Sequence, residues 1–189
     1  IKRVLKNLDC NAIYSNAPDE IQKAQAIILP GVGHFQVAMQ SMFDSNIIPL
    51  LNKKISIEKI PVLGICLGLQ LMTQYSAEGD CKGLGWIEAT VEEIVPEDTK
   101  TFKVPHIGWR TLTNSQNCSI LKNIDYATKP FYFCHKFAIT HAIDGKCATY
   151  KYNKEYVGIY EKENIFGVQF HPEKSQVHGQ EMISNFLNF

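Results

Sequence analysis

A cysteine between two glycines is the residue of this chain best placed for chemistry. Gly64, Cys66 and Gly68 form the pattern G-x-C-x-G, and small neighbours permit the sharp strand-to-helix turn that presents a nucleophile. The apolar run 61–65 predicts a buried strand before it, and residues 67–78 carry apolar side chains at helical spacing after it. Because a helix N-terminus favours an anion, we expect the Cys66 thiol to ionise more readily than a free cysteine, whose pKa is about 8.5. A buried structural cysteine is the alternative interpretation of this short pattern.

A histidine and a glutamate near the other end of the chain could serve that nucleophile. His171 directly follows the apolar run 165–170, and Glu173 stands two positions later. Residues i and i+2 of an extended segment leave it on the same side, so Glu173 can hold one imidazole nitrogen while the other takes the proton of a thiol. By themselves the two residues fit equally well a histidine at a strand end and a solvated surface acid.

A second glycine turn, Pro30-Gly31-Val32-Gly33, follows the apolar run 26–29. Ligands in open α/β sheets bind outside the carboxyl ends of the strands, so this turn and the cysteine turn can face the same crevice. The glycines allow the N–H of Val32 or Gly33 to point into the site. An ordinary strand-to-helix turn is the alternative.

The apolar pattern predicts the elements that must position these residues. We expect helices at 1–8, after 16–20 and at 34–43, strands at 12–14, 26–29 and 61–65, and a loop at 79–85. Short aromatic and alternating runs then predict partly antiparallel strands at 86–95, 104–113, 131–140, 147–152, 156–161 and 165–170, before a last helix at 180–187. The predicted fold class is α/β, a three-layer open sheet of the flavodoxin-like type with antiparallel additions in the C-terminal half.

Composition fits one globular domain over residues 1–189, with 45% hydrophobic residues. The 19 basic and 19 acidic residues cancel, and we expect neither nucleic acid nor membrane as a partner. The six cysteines show no CxxC pair and no short Cys/His spacing of the kind that binds a metal, so we expect a cytoplasmic protein without a metal or other cofactor. An α/β sheet ordinarily opens on a strand, and we therefore expect a further N-terminal strand before Ile1 in the native protein.

Five segments resemble those of the class I (triad) glutamine amidotransferases, and the likeness extends over nearly the whole chain. They are 30–33, 64–70, 103–109, 131–135 and 167–175. Within that family, Val-Pro-His-Ile-Gly-Trp at 104–109 and Phe-Tyr-Phe-Cys-His at 131–135 are most similar to the glutaminase subunits of imidazole glycerol phosphate synthases.

The resemblance implies hydrolysis of glutamine through a Cys-His-Glu triad. Cys66 would attack the side-chain amide, His171 would protonate the departing ammonia, and water would hydrolyse the glutamyl thioester. The N–H of Leu67 and one from Val32 or Gly33 would form the oxyanion hole. The glutamine-binding positions of the family carry over to Gly31, Gly68, Gln70, Glu78, His135, Lys136 and Phe137.

The resemblance also implies a heterodimer, in which ammonia passes to a separate (β/α)8 barrel cyclase subunit of histidine biosynthesis. The positions that would face the barrel are Pro105, His106, Trp109, Arg110 and Lys174. Arg110 departs from the family's Asn, and Lys136-Phe137 departs from its Ser or Thr followed by Tyr. These departures leave open a paralogous subunit that supplies ammonia, through a related synthase barrel, for amidination of a bacterial surface sugar.

Two interpretations from other classes remain at this point. A stand-alone cysteine hydrolase or peptidase on the same type of sheet usually has a histidine directly after the nucleophile, where this chain has Leu67. A catalytically inactive binding module is disfavoured because Cys66, His171, Glu173 and both glycine turns are present.

Overall fold

The structure is a computed structural model that describes residues 1–115 and 117–189. The α-helices are α1 (Lys2–Asn7), α2 (Pro18–Lys23), α3 (Phe35–Asp44), α4 (Ile48–Asn52), α5 (Leu67–Leu71) and α6 (Gln176–Leu187). The strands are β1 (Ile27–Gly31), β2 (Val62–Cys66), β3 (Thr73–Ser76), β4 (Cys81–Lys82), β5 (Ile87–Glu93), β6 (His106–Arg110), β7 (Phe131–His135), β8 (Phe137–Ala142), β9 (Lys146–Lys151), β10 (Glu155–Lys162) and β11 (Ile165–Val168). A π-helical turn, Lys53–Ile57, follows α4, and 3₁₀ turns form at Ser119–Leu121 and Pro172–Lys174.

A five-stranded mixed sheet positions the candidate residues. Its strand order is β1-β2-β11-β10-β9; β1, β2 and β11 run parallel, whereas β10 and β9 are antiparallel additions. Strand β2 is buried along its whole length, which explains its continuous apolar sequence, since a parallel strand in the middle of a sheet is covered on both faces. The carboxyl ends of β1, β2 and β11 therefore meet at one edge of the sheet.

The remaining strands form a four-stranded sheet of order β4-β3-β5-β8 and a two-stranded sheet of β6 and β7. One face of the five-stranded sheet packs against α1 and α6, with Leu63 and Phe166 against Val4, Met182 and Phe186. The other face packs on the four-stranded sheet through a cluster that includes Val62, Tyr160, Ile87, Val91 and Ile139. The architecture is the expected α/β class, with mixed sheets and antiparallel strands in the C-terminal half.

The predicted helix 67–78 is too long. Helix α5 ends at Leu71, and the chain turns at once into β3, which pairs with β4 and β5. The carbonyl of Met72 accepts hydrogen bonds from the N–H groups of Trp86 and Ile87, at 2.8 and 2.9 Å. These pairings satisfy the buried backbone with partners from a distant segment, and they override the local helical pattern.

Other differences also follow from tertiary pairing. Residues 12–14 form no strand; Ala12 packs against the main core, whereas Ile13 is 70% exposed. The predicted strand 131–140 is two strands, which separate at Lys136 and pair with β6 and β5 respectively. Strand β4 lies within the expected loop 79–85, and the last helix begins at Gln176, earlier than expected.

None of the helices in the described ranges is long and apolar enough to span a membrane. Within the same ranges, no group of three or more His, Cys, Asp or Glu side chains lies close enough together to hold a metal ion.

Candidate active site

Cys66 lies at a strained turn between β2 and α5. Its φ and ψ are 54° and −109°, a region that residues with a side chain rarely adopt. Two glycines make the turn possible. A Cβ on Gly64 would lie 2.6 Å from the backbone nitrogen of Leu69, and a Cβ on Gly68 would lie 1.7 Å from the carbonyl oxygen of Leu29. The glycines therefore let α5 pack directly against the backbone of the sheet.

The sulfur of Cys66 is enclosed by hydrogen-bonding groups. The side chain is only 6% exposed; Gln169 Nε2 lies 3.7 Å from the sulfur, and the carbonyl oxygen of Cys134 lies 3.9 Å from it. Burial raises the pKa of the Cys66 thiol to about 12, while the hydrogen bond from the Leu67 N–H acts in the opposite direction. The expectation of a readily ionised thiol is thus wrong for this conformation, because burial outweighs the single helical turn of α5. The sulfur needs a base to become a nucleophile.

His171 and Glu173 have the arrangement of such a base and its orienting acid. The Nδ1 atom of His171 lies 2.9 Å from Glu173 Oε1. Burial is the largest single influence on Glu173 and raises its pKa, but the hydrogen bond with His171, a backbone hydrogen bond and nearby positive charge together outweigh it, and the net pKa lies below the ordinary value. A carboxylate can only accept, so Nδ1 carries a proton, and in the neutral imidazole Nε2 is the acceptor.

The ends of the parallel strands place these residues at the same edge of the sheet. Gly31 is paired with Cys66 across β1 and β2, and Ile65 is paired with Val168 across β2 and β11. A crevice of about 250 Å³ opens at this edge, lined by Pro30, Gly31, Val32, Ile65, His171 and Glu173. The glycine turn, His171, Glu173 and the residue before Cys66 therefore share one crevice.

The candidate oxyanion-hole residues lie on two turns that contact each other. A Cβ on Gly31 would lie 2.8 Å from the Cβ of Leu67, so the absence of a side chain lets the first turn pass against the start of α5. Gly33 has a φ of 118°, a conformation that favours glycine. Val32 is 83% exposed and lines the crevice.

Three of the candidate glutamine-binding residues, Gln70, His135 and Phe137, belong to one buried hydrogen-bond network. Gln70 Nε2 donates to the carbonyl of Phe137 at 2.8 Å and to Gln169 Oε1 at 3.0 Å. His135 Nδ1 donates to the same carbonyl at 2.8 Å, and its Nε2 lies 3.1 Å from the hydroxyl of Tyr150.

Glu78 and Lys136 lie outside that network. Glu78 Oε2 accepts a hydrogen bond of 2.8 Å from the N–H of Phe35, the first residue of α3. Lys136 forms an exposed ion pair of 2.9 Å with Glu93. The carboxylate of Glu78 thus holds the start of α3, the helix that follows the glycine turn. This hydrogen bond links the segment of Glu78 to the segment of the glycine turn.

The candidate partner residues divide into surface and interior. Trp109 is 39% exposed and packs edge-to-face on Tyr132, with 5.5 Å between ring centroids, and Lys174 Nζ lies 5.4 Å from the Tyr132 ring. The guanidinium of Arg110 lies 5.3 Å from the ring of Tyr152. We name Ile107, Trp109, Arg110, Tyr132 and Lys174 the aromatic–basic surface. Pro105 is also exposed.

His106 is not part of that surface, because its side chain is fully buried. It stacks on Tyr152 at 4.1 Å between centroids, and its Nδ1 lies 3.4 Å from His135 Nε2. Its Nε2 finds no hydrogen-bond partner among the residues that the structure describes. The sequence analysis predicted neither the contact between His106 and His135 nor a role for Gln169 in the site. The i, i+2 spacing of Gln169 and His171, which is that of one strand face, is a signal that could have indicated Gln169.

The buried histidine pair makes stability depend on pH. Burial lowers the pKa of His106 to about 4 and that of His135 to about 3. Since a histidine in the unfolded chain titrates near 6.5, the unfolded state binds more protons below that pH, and stability is lost as the pH falls from about 6.5 towards 4. His106→Phe keeps the aromatic stack but cannot titrate. When the pH is lowered from 7 to 5, we expect its free energy of unfolding to fall by roughly 2 kcal/mol less than that of the parent.

Urea unfolding at the two pH values measures this difference. His141→Gln is the matched control, because that exposed histidine is hydrated in the folded and the unfolded chain alike, and this variant should follow the parent. Equal pH dependence in His106→Phe and the parent would show that His106 is not the titrating group.

Comparison with known proteins assigns this chain to a family. Residues 1–188 match the family described as "Glutamine amidotransferase class-I". The chain is 39% identical to the imidazole glycerol phosphate synthase subunit HisH 2 of Methanococcus maripaludis, over 99% of this chain and 92% of that protein. It is 41% identical to the subunit HisH 2 of Vibrio vulnificus, over 96% and 84% of the two chains.

Solved structures show the same fold at low sequence identity. A crystal structure of a glutamine amidotransferase has a TM-score of 0.71 and 15% identity, and the match covers 99% of this chain and 90% of that one. A second glutamine amidotransferase, from Thermotoga maritima, has a TM-score of 0.65 and 15% identity, with 99% and 75% covered. The matched family spans nearly the whole sequence and relatives of about 40% identity agree with it, so the chain belongs to the class-I glutamine amidotransferases.

Proposed function

We propose that this chain is the glutaminase subunit of an imidazole glycerol phosphate synthase and hydrolyses glutamine to glutamate and ammonia for histidine biosynthesis. One observation carries the catalytic part of the proposal. Cys66 is the last residue of β2, His171 follows the end of the neighbouring parallel strand β11, and Glu173 accepts from the imidazole nitrogen that the reaction does not use. The relatives named HisH support the choice of pathway. We further propose that residues 1–189 act as one amidotransferase domain in the cytoplasm.

The first half of the reaction forms a thioester. His171 Nε2 takes the thiol proton as the sulfur attacks the side-chain amide carbon of glutamine, so that a free thiolate need not accumulate in a site where burial raises the pKa of Cys66. The carboxylate of Glu173 stabilises the resulting imidazolium. The N–H of Leu67 and one from Val32 or Gly33 would stabilise the oxyanion, and His171 returns the proton to the nitrogen that leaves as ammonia.

The second half of the reaction releases the product. Water takes the place of ammonia, His171 accepts a proton from it, and the oxygen attacks the thioester carbon. Collapse of this intermediate expels the sulfur, which regains the proton as a thiol, and glutamate leaves. Each turnover thus consumes one glutamine and one water and returns the enzyme to its starting protonation state.

The ammonia would be consumed by a (β/α)8 barrel cyclase bound at the aromatic–basic surface. Tyr132 connects this surface to the catalytic base, because its carbonyl accepts a 2.8 Å hydrogen bond from the His171 N–H and its ring centroid lies 6.5 Å from the imidazole. Ser175 fixes the same strand by accepting from the Tyr132 N–H at 3.0 Å. A barrel that contacts Tyr132 would therefore lie next to the point where ammonia is formed.

The conformation of Arg110 favours a second candidate, a paralogous subunit that supplies ammonia for amidination of a bacterial surface sugar. Its Nη1 donates to the carbonyl of Trp109 at 2.9 Å, and its guanidinium lies over Tyr152. The charge is thus fixed beside the exposed tryptophan. A barrel that accepts this charge would need a carboxylate opposite it, which is a requirement that an Asn at the same position would not impose.

Ammonia release separates these functions. We expect the histidine-pathway barrel to stimulate glutamine hydrolysis by roughly tenfold or more, and we expect Lys174→Ala to weaken this stimulation, because it removes a cation of the aromatic–basic surface. Lys122→Ala, at an exposed lysine of another segment, is the matched control. Stimulation by the surface-sugar barrel alone would establish the second candidate, and hydrolysis that responds to neither barrel would contradict both.

A further inference from the structure

We propose that Gln169 is a positioning residue of the reaction, which holds the Cys66 sulfur by donating a hydrogen bond to it from its side-chain amide. The inference rests on the proposed function in one respect, that Cys66 is the nucleophile. Gln169 is fully buried, and its Nε2 lies 3.7 Å from the sulfur. It leaves the end of β11 two residues before His171, next to the end of β2.

The orientation of the Gln169 amide follows from its neighbours. The carbonyl of Phe137 can only accept, so the Gln70 atom that lies 2.8 Å from it is the nitrogen. The same nitrogen lies 3.0 Å from the Gln169 amide, which must therefore present its oxygen to Gln70. The other end of the amide, Nε2 with its two hydrogens, then faces the sulfur.

The network leaves the Gln169 amide little freedom to turn. Its backbone N–H donates to the carbonyl of Gly158 on β10 at 2.9 Å, and Gln70 is only 4% exposed. Rotation of the Gln169 amide by half a turn would place its nitrogen 3.0 Å from the Gln70 nitrogen, and two buried donors cannot satisfy each other. The donor aimed at Cys66 is therefore set by the fold before a substrate binds.

A fixed donor stabilises the negative charge that develops on sulfur. The groups that face the thiol are the N–H of Leu67, the Gln169 amide, the carbonyl of Cys134, and, within electrostatic range, Glu173, Tyr150 and the Cys134 thiol. Among these, the N–H of Leu67 is also required for the oxyanion. When the N–H of Leu67 donates to the oxyanion, the Gln169 amide still donates to the sulfur.

The rate at which iodoacetamide alkylates Cys66 tests the proposal, with modification followed on the Cys66 peptide by mass spectrometry. Below the thiol pKa this rate is proportional to the thiolate fraction. We expect Gln169→Met, which keeps the length of the side chain but has no donor, to react about tenfold more slowly at pH 9. We expect its kcat/KM for glutamine, measured with the stimulating barrel, to fall about 10- to 100-fold.

The direction of the change separates positioning from packing. If Gln169 only fills space, its replacement loosens the site, exposes the sulfur and makes alkylation equal to or faster than in the parent, which would overturn the proposal. Gln40→Met, at an exposed glutamine of α3, is the matched control and should react at the parent rate.

A second variant, Gln169→Glu, tests the proposal if Gln169→Met does not fold. Gln169→Glu keeps the shape and an oxygen that can accept from Gln70, but it places a carboxylate against the sulfur. We expect slower alkylation than in the parent; an unchanged or increased rate would overturn the proposal. If the parent hydrolyses no glutamine with any barrel, the proposed function fails, while the alkylation rates still decide whether Gln169 donates to the sulfur.

Discussion

Cys66→Ala should abolish ammonia release from glutamine but leave the folded chain and its complex with the barrel intact. We expect this result because, among the described cysteines, only Cys66 lies at a strand-to-helix elbow. Loss of the nucleophile of a catalytic triad commonly reduces kcat by at least about 10³-fold. Removal of one buried sulfur costs about 1 kcal/mol of stability, which is small beside the loss of turnover.

Steady-state ammonia release and analytical ultracentrifugation with the barrel measure the two parts of this result. Cys81→Ala is the matched control, because that cysteine lies on β4 in the other sheet, and we expect it to keep the parent turnover. Near-normal turnover in Cys66→Ala would place the nucleophile elsewhere, and failure to bind the barrel would show that Cys66 has a structural role.

Gly68→Ala has the second largest expected effect, on stability as well as on activity. The added Cβ would lie 1.7 Å from the carbonyl oxygen of Leu29 and 2.8 Å from its carbonyl carbon. Both atoms are backbone of β1, so the clash cannot be relieved by a side-chain rotation, and α5 must move away from the sheet. We expect a loss of roughly 3 kcal/mol or more and a loss of turnover, because α5 carries the N–H of Leu67.

Gly85→Ala separates this clash from the general effect of adding a methyl group. Its φ is +71°, and no heavy atom lies within 4 Å of the added Cβ, so the cost is limited to about 1 kcal/mol of backbone strain. Urea unfolding of the two variants gives the comparison. Equal stability of Gly68→Ala and Gly85→Ala would mean that the close approach of α5 to β1 does not support the elbow.

The strand-to-helix turn and the acid–base pair could be predicted because their signals are local. Glycines at 64 and 68 permit the close packing of α5 against the sheet. The i, i+2 spacing of His171 and Glu173 allows a carboxylate to reach an imidazole, although the 3₁₀ turn Pro172–Lys174, and not an extended segment, forms this contact. The parallel core strands were also predictable, since a strand covered on both faces must be apolar along its length.

What the sequence could not show depends on segments that are distant along the chain. The helix after Cys66 ends early because β3 pairs with β5, and the thiol pKa rises because the fold buries the sulfur. Gln169 contacts Gln70, which lies 99 residues away. The interior position of His106, expected at a partner surface, likewise follows from its packing against Tyr152.

Covalent labelling with a diazo ketone analogue of glutamine, followed by peptide mass spectrometry, tests most directly whether Cys66 is the catalytic nucleophile. Such an analogue occupies the substrate site and alkylates the residue that would attack the amide carbon. We expect a single adduct on the peptide that contains Cys66, formed about 10²-fold or more slowly in His171→Asn because the base is lost. An adduct on any other residue, with Cys66 unmodified in the complex with the stimulating barrel, would contradict the assignment.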